Sequence, residues 1–396
     1  MSQFFKDYSL SAMIAGLIAV LVSYAGPLVI VFQAAQIGNL SADELTSWIW
    51  AISIGSALSG IILSYRFKLP IITAWSTPGA AILVGSLSHY SFDEAIGAFI
   101  ISSLLILLLG FFDILQKLIM RIPSALTSAM LAGILFQFGL NLVTSAEDLP
   151  ILILPMALTF LISKRFFPTF AVMASLCYGV VATYILGLFE SQQLVFALSV
   201  PKMTIPTFSI EAIVGLGIPI FIVTIASQNI PGLAVLKAAG YKDLPTQAIL
   251  KTTGFISLIL APFGSHSINL AAITAAICTG RESHKNPARR YISGIFCGVF
   301  YLLFGLFGAS IASLIVALPK EFIAAIAGLA LLSAMANGLS SAVKSEHHRE
   351  SALIAFLVTA SGITIFGIGS AFWGLIAGFI ALMILSYEHI TTPSVV

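Results

Sequence analysis

Thr73-Ala74-Trp75-Ser76-Thr77-Pro78-Gly79-Ala80-Ala81 lies inside an apolar run from Ile71 to Leu87. That run is too short and too polar in its first half to be an ordinary membrane-crossing helix. Proline fixes its own φ and has no N–H, which suits a first helical turn, and Ser76 or Thr77 just before it can cap that turn. The stretch therefore predicts an extended piece from Ile71 to Trp75 followed by a half-length helix starting near Pro78. Non-helical backbone at membrane depth survives only when it is buried in protein or lines a polar cavity. A half-helix starting there aims N–H groups and its positive dipole end into that cavity, a way to hold an anion without a charged side chain.

The surroundings justify the assumption of a membrane. Of 396 residues, 59% are hydrophobic and 9% charged, with a mean hydropathy of +1.06. This describes a polytopic helical membrane protein and excludes a soluble enzyme. Charged clusters separate fourteen apolar runs: 10–38, 45–64, 71–87, 95–116, 122–144, 149–163, 169–188, 211–236, 248–262, 263–279, 291–317, 322–343, 351–366 and 370–386. With both termini cytoplasmic, all but Lys202 and Lys320 of the 18 Lys and Arg residues fall on the cytoplasmic side. One span more or fewer would scramble that positive-inside bias. The first run reads as a retained helix and not as a signal peptide. Cys177, Cys278 and Cys297 have no metal-ligand spacing and read as small core residues, so neither a disulfide nor a metal is expected. The net charge of +2 comes from the loops and gives no sign of nucleic-acid binding.

The polar interval Glu190 to Ser209, with Pro201 and Pro206, leaves seven runs on either side. An odd number per half inverts the second half in the membrane, as in many secondary transporters. The expected organisation is thus a first repeat over 1–189, a periplasmic linker over 190–210 and a second repeat over 211–396. Ile122-Pro123 leading to Leu131-Ala132-Gly133-Ile134 in the fifth run matches Leu318-Pro319 leading to Ile326-Ala327-Gly328-Leu329 in the twelfth. The third and tenth runs are both interrupted. The tenth opens Pro262-Phe263-Gly264-Ser265-His266-Ser267-Ile268-Asn269 before a helix-like stretch from Leu270. Paired interrupted segments in corresponding positions point to a transport site.

The first and eighth runs are polar where lipid-facing helices should be apolar: Ser23-Tyr24-Ala25-Gly26-Pro27 and Gln33 in one, Ala226-Ser227-Gln228-Asn229-Ile230-Pro231-Gly232 in the other. Unpaired amides in hydrocarbon cost several kcal/mol, so these groups must meet protein or a wet cavity. Candidate substrate-binding residues are Tyr24, Gln33, Trp75, Ser76, Thr77, Gly79, Ser227, Gln228, Asn229, Ser267 and Asn269, with Tyr24, Phe32 and Trp75 offering flat apolar surface for a ring. Asp113 and Glu211 lie near run ends, and the remaining acids are in loops or the tail. His266 is the ionisable side chain placed near the site, either as a proton carrier or as a neutral hydrogen-bonded imidazole. Without acids the pocket suits an anion or a polar neutral molecule better than a cation. No nucleotide motif, phosphate loop or nucleophile triad is present, so neither an enzyme nor a cofactor is expected.

Taken with Ala271-Ala272-Ile273-Thr274-Ala275-Ala276-Ile277-Cys278 and Gly369-Ser370-Ala371-Phe372-Trp373-Gly374-Leu375-Ile376-Ala377-Gly378, the stretches Thr73 to Ala81 and Ala226 to Gly232 resemble the benzoate/proton symporter family of bacterial inner-membrane transporters. The resemblance covers essentially the whole chain. It implies proton-coupled import of benzoate or a related small aromatic carboxylate across the inner membrane. In fold it implies a distant similarity to nucleobase and sulfate/bicarbonate carriers: an all-α protein of 14 transmembrane segments in two inverted seven-segment repeats, with short strands in segments 3 and 10. Segments 1–4 and 8–11 would form a core moving against a gate of segments 5–7 and 12–14, with ligand between segments 3 and 10 beside 1 and 8. Nucleobase carriers place acids in segments 8 and 10, where this chain has Ser227, Gln228, Asn229 and His266. The other functions to weigh are a carrier for another small anion or a nucleobase-like ring, and a passive anion channel. A homo-oligomer is compatible with all of them.

Overall fold

The computed structural model describes residues 7–112, 123–190, 194–271 and 273–387. Asp113, and the basic loop residues Lys6, Lys117 and Arg121, lie outside the described residues. The fold is mostly helical. Among the described residues nine helical stretches are long and apolar enough to cross a membrane.

The first run folds as α1 (Leu10–Ala25) and α2 (Pro27–Ile37). Ser9 caps α1 by accepting from the Ala12 N–H, and Gly26-Pro27 breaks the run because proline supplies no N–H for an unbroken ladder. α3 (Ala42–Phe67) and α5 (Phe92–Phe111) both start on a capping box. In them Glu44 and Glu94 accept from the backbone N–H of Ser41 and Ser91, each at 2.9 Å. Between α3 and α5 lie β1 (Thr73–Trp75) and the half-helix α4 (Thr77–Ser86). Then follow α6 (Ser124–Asp148), α7 (Pro150–Phe166) and α8 (Ala171–Ile185). Leu154, Leu158 and Leu161 form an exposed apolar stripe on α7, the pattern of a lipid-facing helix.

In the second half, α9 (Ile210–Ala238) is followed by α10 (Thr246–Leu260), β2 (Ile268–Leu270) and α11 (Ile273–Thr279). α12 (Tyr291–Leu306), α13 (Gly308–Val316), α14 (Lys320–Val343), α15 (Arg349–Ala360) and α16 (Ser370–Tyr387) complete the chain. A hairpin of β3 (Thr364–Ile365) and β4 (Ile368–Gly369) joins the last two helices. The Tyr90 hydroxyl donates to the Gly367 carbonyl in that hairpin.

Three expectations from sequence need correction. The half-helix of the tenth run starts at Ile273 and not near Leu270, which belongs to a strand. The thirteenth run is helical only to Ala360, because Gly362 (φ 67°) and Gly367 (φ 74°) turn the chain into the hairpin. Pro231-Gly232 in the eighth run, a pair that predicts a break, does not break its helix. Instead α9 widens into five-residue π turns at Ile213–Gly217 and Ile225–Asn229, each two residues ahead of a proline, Pro219 and Pro231. A widened turn relieves the clash between a proline ring and the carbonyl one turn back without ending the helix.

The two matching glycines of the fifth and twelfth runs both mark close helix crossings. A Cβ at Gly133 would meet the Phe356 carbonyl oxygen on α15 at 2.8 Å, and one at Gly328 the Phe138 carbonyl oxygen on α6 at 2.6 Å. Small residues of this kind let helix backbones approach in a membrane. Residues 194–209 form a strap held to other elements by hydrogen bonds. Val195 and Ala197 N–H donate to Ser313 and Ser310 on α13 (both 3.1 Å). Further along, Thr204 N–H reaches the Pro262 carbonyl (2.8 Å) and Thr207 N–H that of Asp93 (3.0 Å).

Candidate functional site

β1 and β2 pair antiparallel in the interior, with Thr73 opposite Leu270, Ala74 opposite Asn269 and Trp75 opposite Ile268. Ser76 N–H donates to the Ser267 carbonyl (3.0 Å) and Ala271 N–H to that of Ile72 (2.9 Å), which extends the ladder at both ends. A two-stranded ladder still has two bare edges, and with no water at membrane depth side chains must close them. On the β2 edge, Ser257 of α10 accepts from Ile268 N–H (2.7 Å) and Asn229 of α9 from Leu270 N–H (3.1 Å). On the β1 side, Ser64 of α3 donates to the Ile71 carbonyl (3.0 Å). Thr73 there donates to the Ser56 carbonyl and accepts from the Ser59 hydroxyl, both at 2.8 Å. This gives Asn229 a structural task. Asn229→Ala strands a buried N–H at a cost of about 1–3 kcal/mol, so we expect a Tm several degrees lower in detergent. Asn229→Asp, which keeps the acceptor, recovers most of that loss.

Ser76 caps α4 as the sequence predicts, its hydroxyl accepting from Gly79 N–H (3.1 Å) and pairing with that of Thr224 on α9 (2.8 Å). With its amide oriented as its surroundings require, Asn269 accepts from Ser76 N–H (3.0 Å) and donates to the Leu270 carbonyl (2.8 Å). His266 is fully buried beside them. Its Nδ1 accepts from the indole N–H of Trp48 on α3 (3.0 Å), and its Nε2 lies 3.0 Å from the Ser76 carbonyl oxygen. Indole N–H can only donate, so Nδ1 offers a lone pair and Nε2 carries the hydrogen. The imidazole is held neutral and pins β2 to the start of α4. A Cβ at Gly79 would crowd the Ser76 side chain at 3.0 Å and just touch the His266 ring at 3.4 Å, so glycine keeps the capping serine uncrowded.

Tyr24, at the end of α1, packs edge-on against Trp75 (ring centroids 5.6 Å apart) and against Phe304 (4.9 Å), while its hydroxyl pairs with Ser53. Tyr301 on α12 completes the cluster, 5.8 Å from Trp75. Several buried polar atoms here have no partner among the described residues: Trp75 Nε1, Asn229 Nδ2 and the Ser267 hydroxyl. Thr77 is half-buried at the first position of α4, and Ser227 and Gln228 are half-buried in the second π turn of α9.

The structure thus brings Tyr24, Trp75, Ser76, Thr77, Gly79, Asn229, His266, Ser267 and Asn269 to one strand crossing. Gln33 sits elsewhere. It lines a cleft of about 300 Å³ with Gln36, Asn141, Thr144 and Lys320, between α2 and the facing ends of α6 and α14. Sequence reasoning missed Trp48, Thr224, Ser257 and Tyr301, each of which bonds to or packs on the crossing. It also missed the serines of α3, although Ser53, Ser56 and Ser59 recur every three residues in an apolar helix, the visible sign of a polar stripe.

The crossing offers neutral donors and acceptors beside aromatic faces, and no buried acid. Among the described residues Asp7, ahead of α1 and paired with Arg289 at 3.1 Å, is the one acidic side chain that is buried. That chemistry fits a small ring bearing a polar group. The profile of the family described as "Benzoate membrane transport protein" matches residues 6–384. The chain is 44% identical over 380 residues, 96% of both chains, to the benzoate membrane transport protein of Acinetobacter baylyi. It is 41% identical over 374 residues, 94% of this chain and 95% of the other, to the inner membrane protein YdcO of Escherichia coli. Among solved structures, SLC26A9 superposes with a TM-score of 0.62 at 12% identity, over 98% of this chain and 67% of that one. The transmembrane domain of the cyanobacterial bicarbonate transporter BicA superposes at 0.57 with 13% identity, over 96% and 97% of the two chains. These likenesses concern the fold.

Proposed function

The chain belongs to the benzoate membrane transport family, and from that premise we propose that it imports benzoate or a related small aromatic carboxylate together with protons. The observation that carries this reading is the strand crossing itself. Trp75 Nε1, Asn229 Nδ2 and the Ser267 hydroxyl are buried there without partners among the described residues, and the Trp75 ring itself packs against those of Tyr24 and Tyr301. Buried polar groups are costly unless satisfied, so unpaired donors beside aromatic faces mark a place where a ligand's polar group completes the bonding.

We read the fold as fourteen segments in two inverted repeats, 1–189 and 211–396 joined by 190–210, with both termini cytoplasmic. A core of α1–α5 and α9–α13 with β1 and β2 would move against a gate of α6–α8 and α14–α16. The cleft at Gln33 falls between α2 on one side and α6 and α14 on the other, which is where such a core and gate would part. Gln33 then meets the substrate on its way to the crossing and not in the bound state.

The test is uptake of radiolabelled benzoate into proteoliposomes under an inward proton gradient, with protein-free vesicles as background. Gradient-driven accumulation that collapses with an uncoupler, and that other aromatic acids compete while nucleobases and bicarbonate do not, is the expected result. Uptake that only equilibrates would indicate a channel. Absence of benzoate uptake by folded protein would overturn the substrate assignment.

A further inference from the structure

Coupling to protons needs a group that gains a proton on one side of the membrane and loses it on the other. Among the described residues the buried titratable side chains around the crossing are His266, Tyr24, Tyr301, Cys278 and Cys297. Tyrosine and cysteine give up protons only well above neutral pH. His266 is committed, for a second proton on Nδ1 would set N–H against the N–H of Trp48. It also meets Phe99 on α5 (ring centroids 6.1 Å apart), Ser76 and Gly79, and among the described residues none of these contacts brings a charged group to compensate a positive imidazole.

The donors around the crossing also fit an uncharged ligand. In the first turn of α4, Pro78 has no N–H, Gly79 N–H is taken by the Ser76 hydroxyl and Ala80 N–H by the Ser76 carbonyl. Only the Thr77 N–H of that turn is left uncommitted among the described residues. A bare carboxylate leaving water needs several charge-assisted bonds, whereas an undissociated carboxyl needs one donor and one acceptor. Trp75 Nε1 and Asn229 Nδ2 supply donors, and the Ser267 hydroxyl either role.

We propose that the proton rides on the substrate: the aromatic acid is bound and carried undissociated, and Trp48 is the positioning residue that keeps His266 out of the titration. The carboxylate takes one proton from water on the outer side as it leaves solvent. The acid released inside loses that proton to water near neutral pH, so each turnover moves one proton with one substrate and no net charge. This inference rests on the reading of the protein as an aromatic-acid carrier.

Binding to purified protein in detergent tests it free of passive permeation, by displacement of radiolabelled benzoate across about pH 5 to 8. A carboxyl with a pKa of about 4 is protonated tenfold less for each pH unit above that value. We therefore expect the apparent Kd of benzoate to rise about tenfold per pH unit. At fixed pH, ring-substituted benzoates of similar size should lose about tenfold in affinity per unit of their own acid strength. Benzamide, which keeps the carbonyl and an N–H donor but never ionises, should displace benzoate with an affinity independent of pH. His266→Gln should keep the slope, and Trp48→Phe, which leaves Nδ1 free to accept a proton, should flatten the low-pH end of the curve. Benzamide failing to displace bound benzoate, or a slope that disappears in His266→Gln, overturns the proposal and gives the proton to His266. An unchanged curve in Trp48→Phe removes the role assigned to Trp48. Failure of benzoate to bind at any pH overturns the transport reading instead.

Discussion

Proteoliposomes carrying His266→Leu are expected to take up benzoate at an initial rate about 100-fold below that of the unsubstituted protein. Leucine fills similar space but leaves the Trp48 indole N–H and the Ser76 carbonyl fully enclosed without partners. Each such loss costs about 1–3 kcal/mol, and two together correspond to roughly two decades in an equilibrium constant. The cost falls on the joint between β2 and the first turn of α4, so the half-helix shifts while the outer helices stay in place. His266→Gln can still donate to the Ser76 carbonyl and should retain a larger share of the rate. A leucine variant transporting near the normal rate would mean that this joint is not part of the transport path.

Gly264→Ala should lower the Tm in detergent by about 4 °C, a loss near 3 kcal/mol set against the unfolding entropy of a 396-residue chain. Gly264 has a φ of 105°, a region that side chains with a Cβ rarely adopt. A methyl group there would lie 2.8 Å from Cα and 2.9 Å from Cβ of Trp48. Relief would require α3 to move away, and the Trp48 contact with His266 would go with it. The measurement is a thermal unfolding curve on detergent-purified protein, and a Tm within 2 °C of the parent would contradict this account.

Local chemistry made much of the site readable in advance. Ser76 caps its half-helix, Pro78 sits in the first turn and Trp75 ends an extended piece, all of which follow from the side-chain and backbone preferences of those residues. The tenth run defeated the same method because its strand is defined by its partner. Leu270 favours helix by itself, yet β1 and Asn229 claim its backbone. Pairing between residues about two hundred positions apart leaves no local trace, and the Trp48 to His266 bond, which spans 218 positions, was invisible for the same reason. Gln33 lines a different cleft from the crossing, for a simple geometric reason. It lies nine residues beyond Tyr24, and at 1.5 Å of rise per residue that is about 13 Å along the chain. The α9 prolines signalled irregularity correctly, but not that a helix can absorb a proline by widening its preceding turn.

The strap between the halves has a mechanical consequence. Its backbone is stitched to α13, to Pro262 and to Asp93, and the Ser47 hydroxyl on α3 donates to its Lys202 carbonyl at 2.9 Å. Every one of these anchors belongs to the body we propose as the core, so on that proposal the strap would travel with that body as rigid cargo. The slack needed for the two bodies to slide past one another must then come from the few residues between α8 and the strap. Gly187, at a φ of 69° and with open space where a side chain would stand, supplies a swivel at that point. A connection that reads in sequence as a linker would on this proposal behave as a belt, with its pivot displaced to one edge.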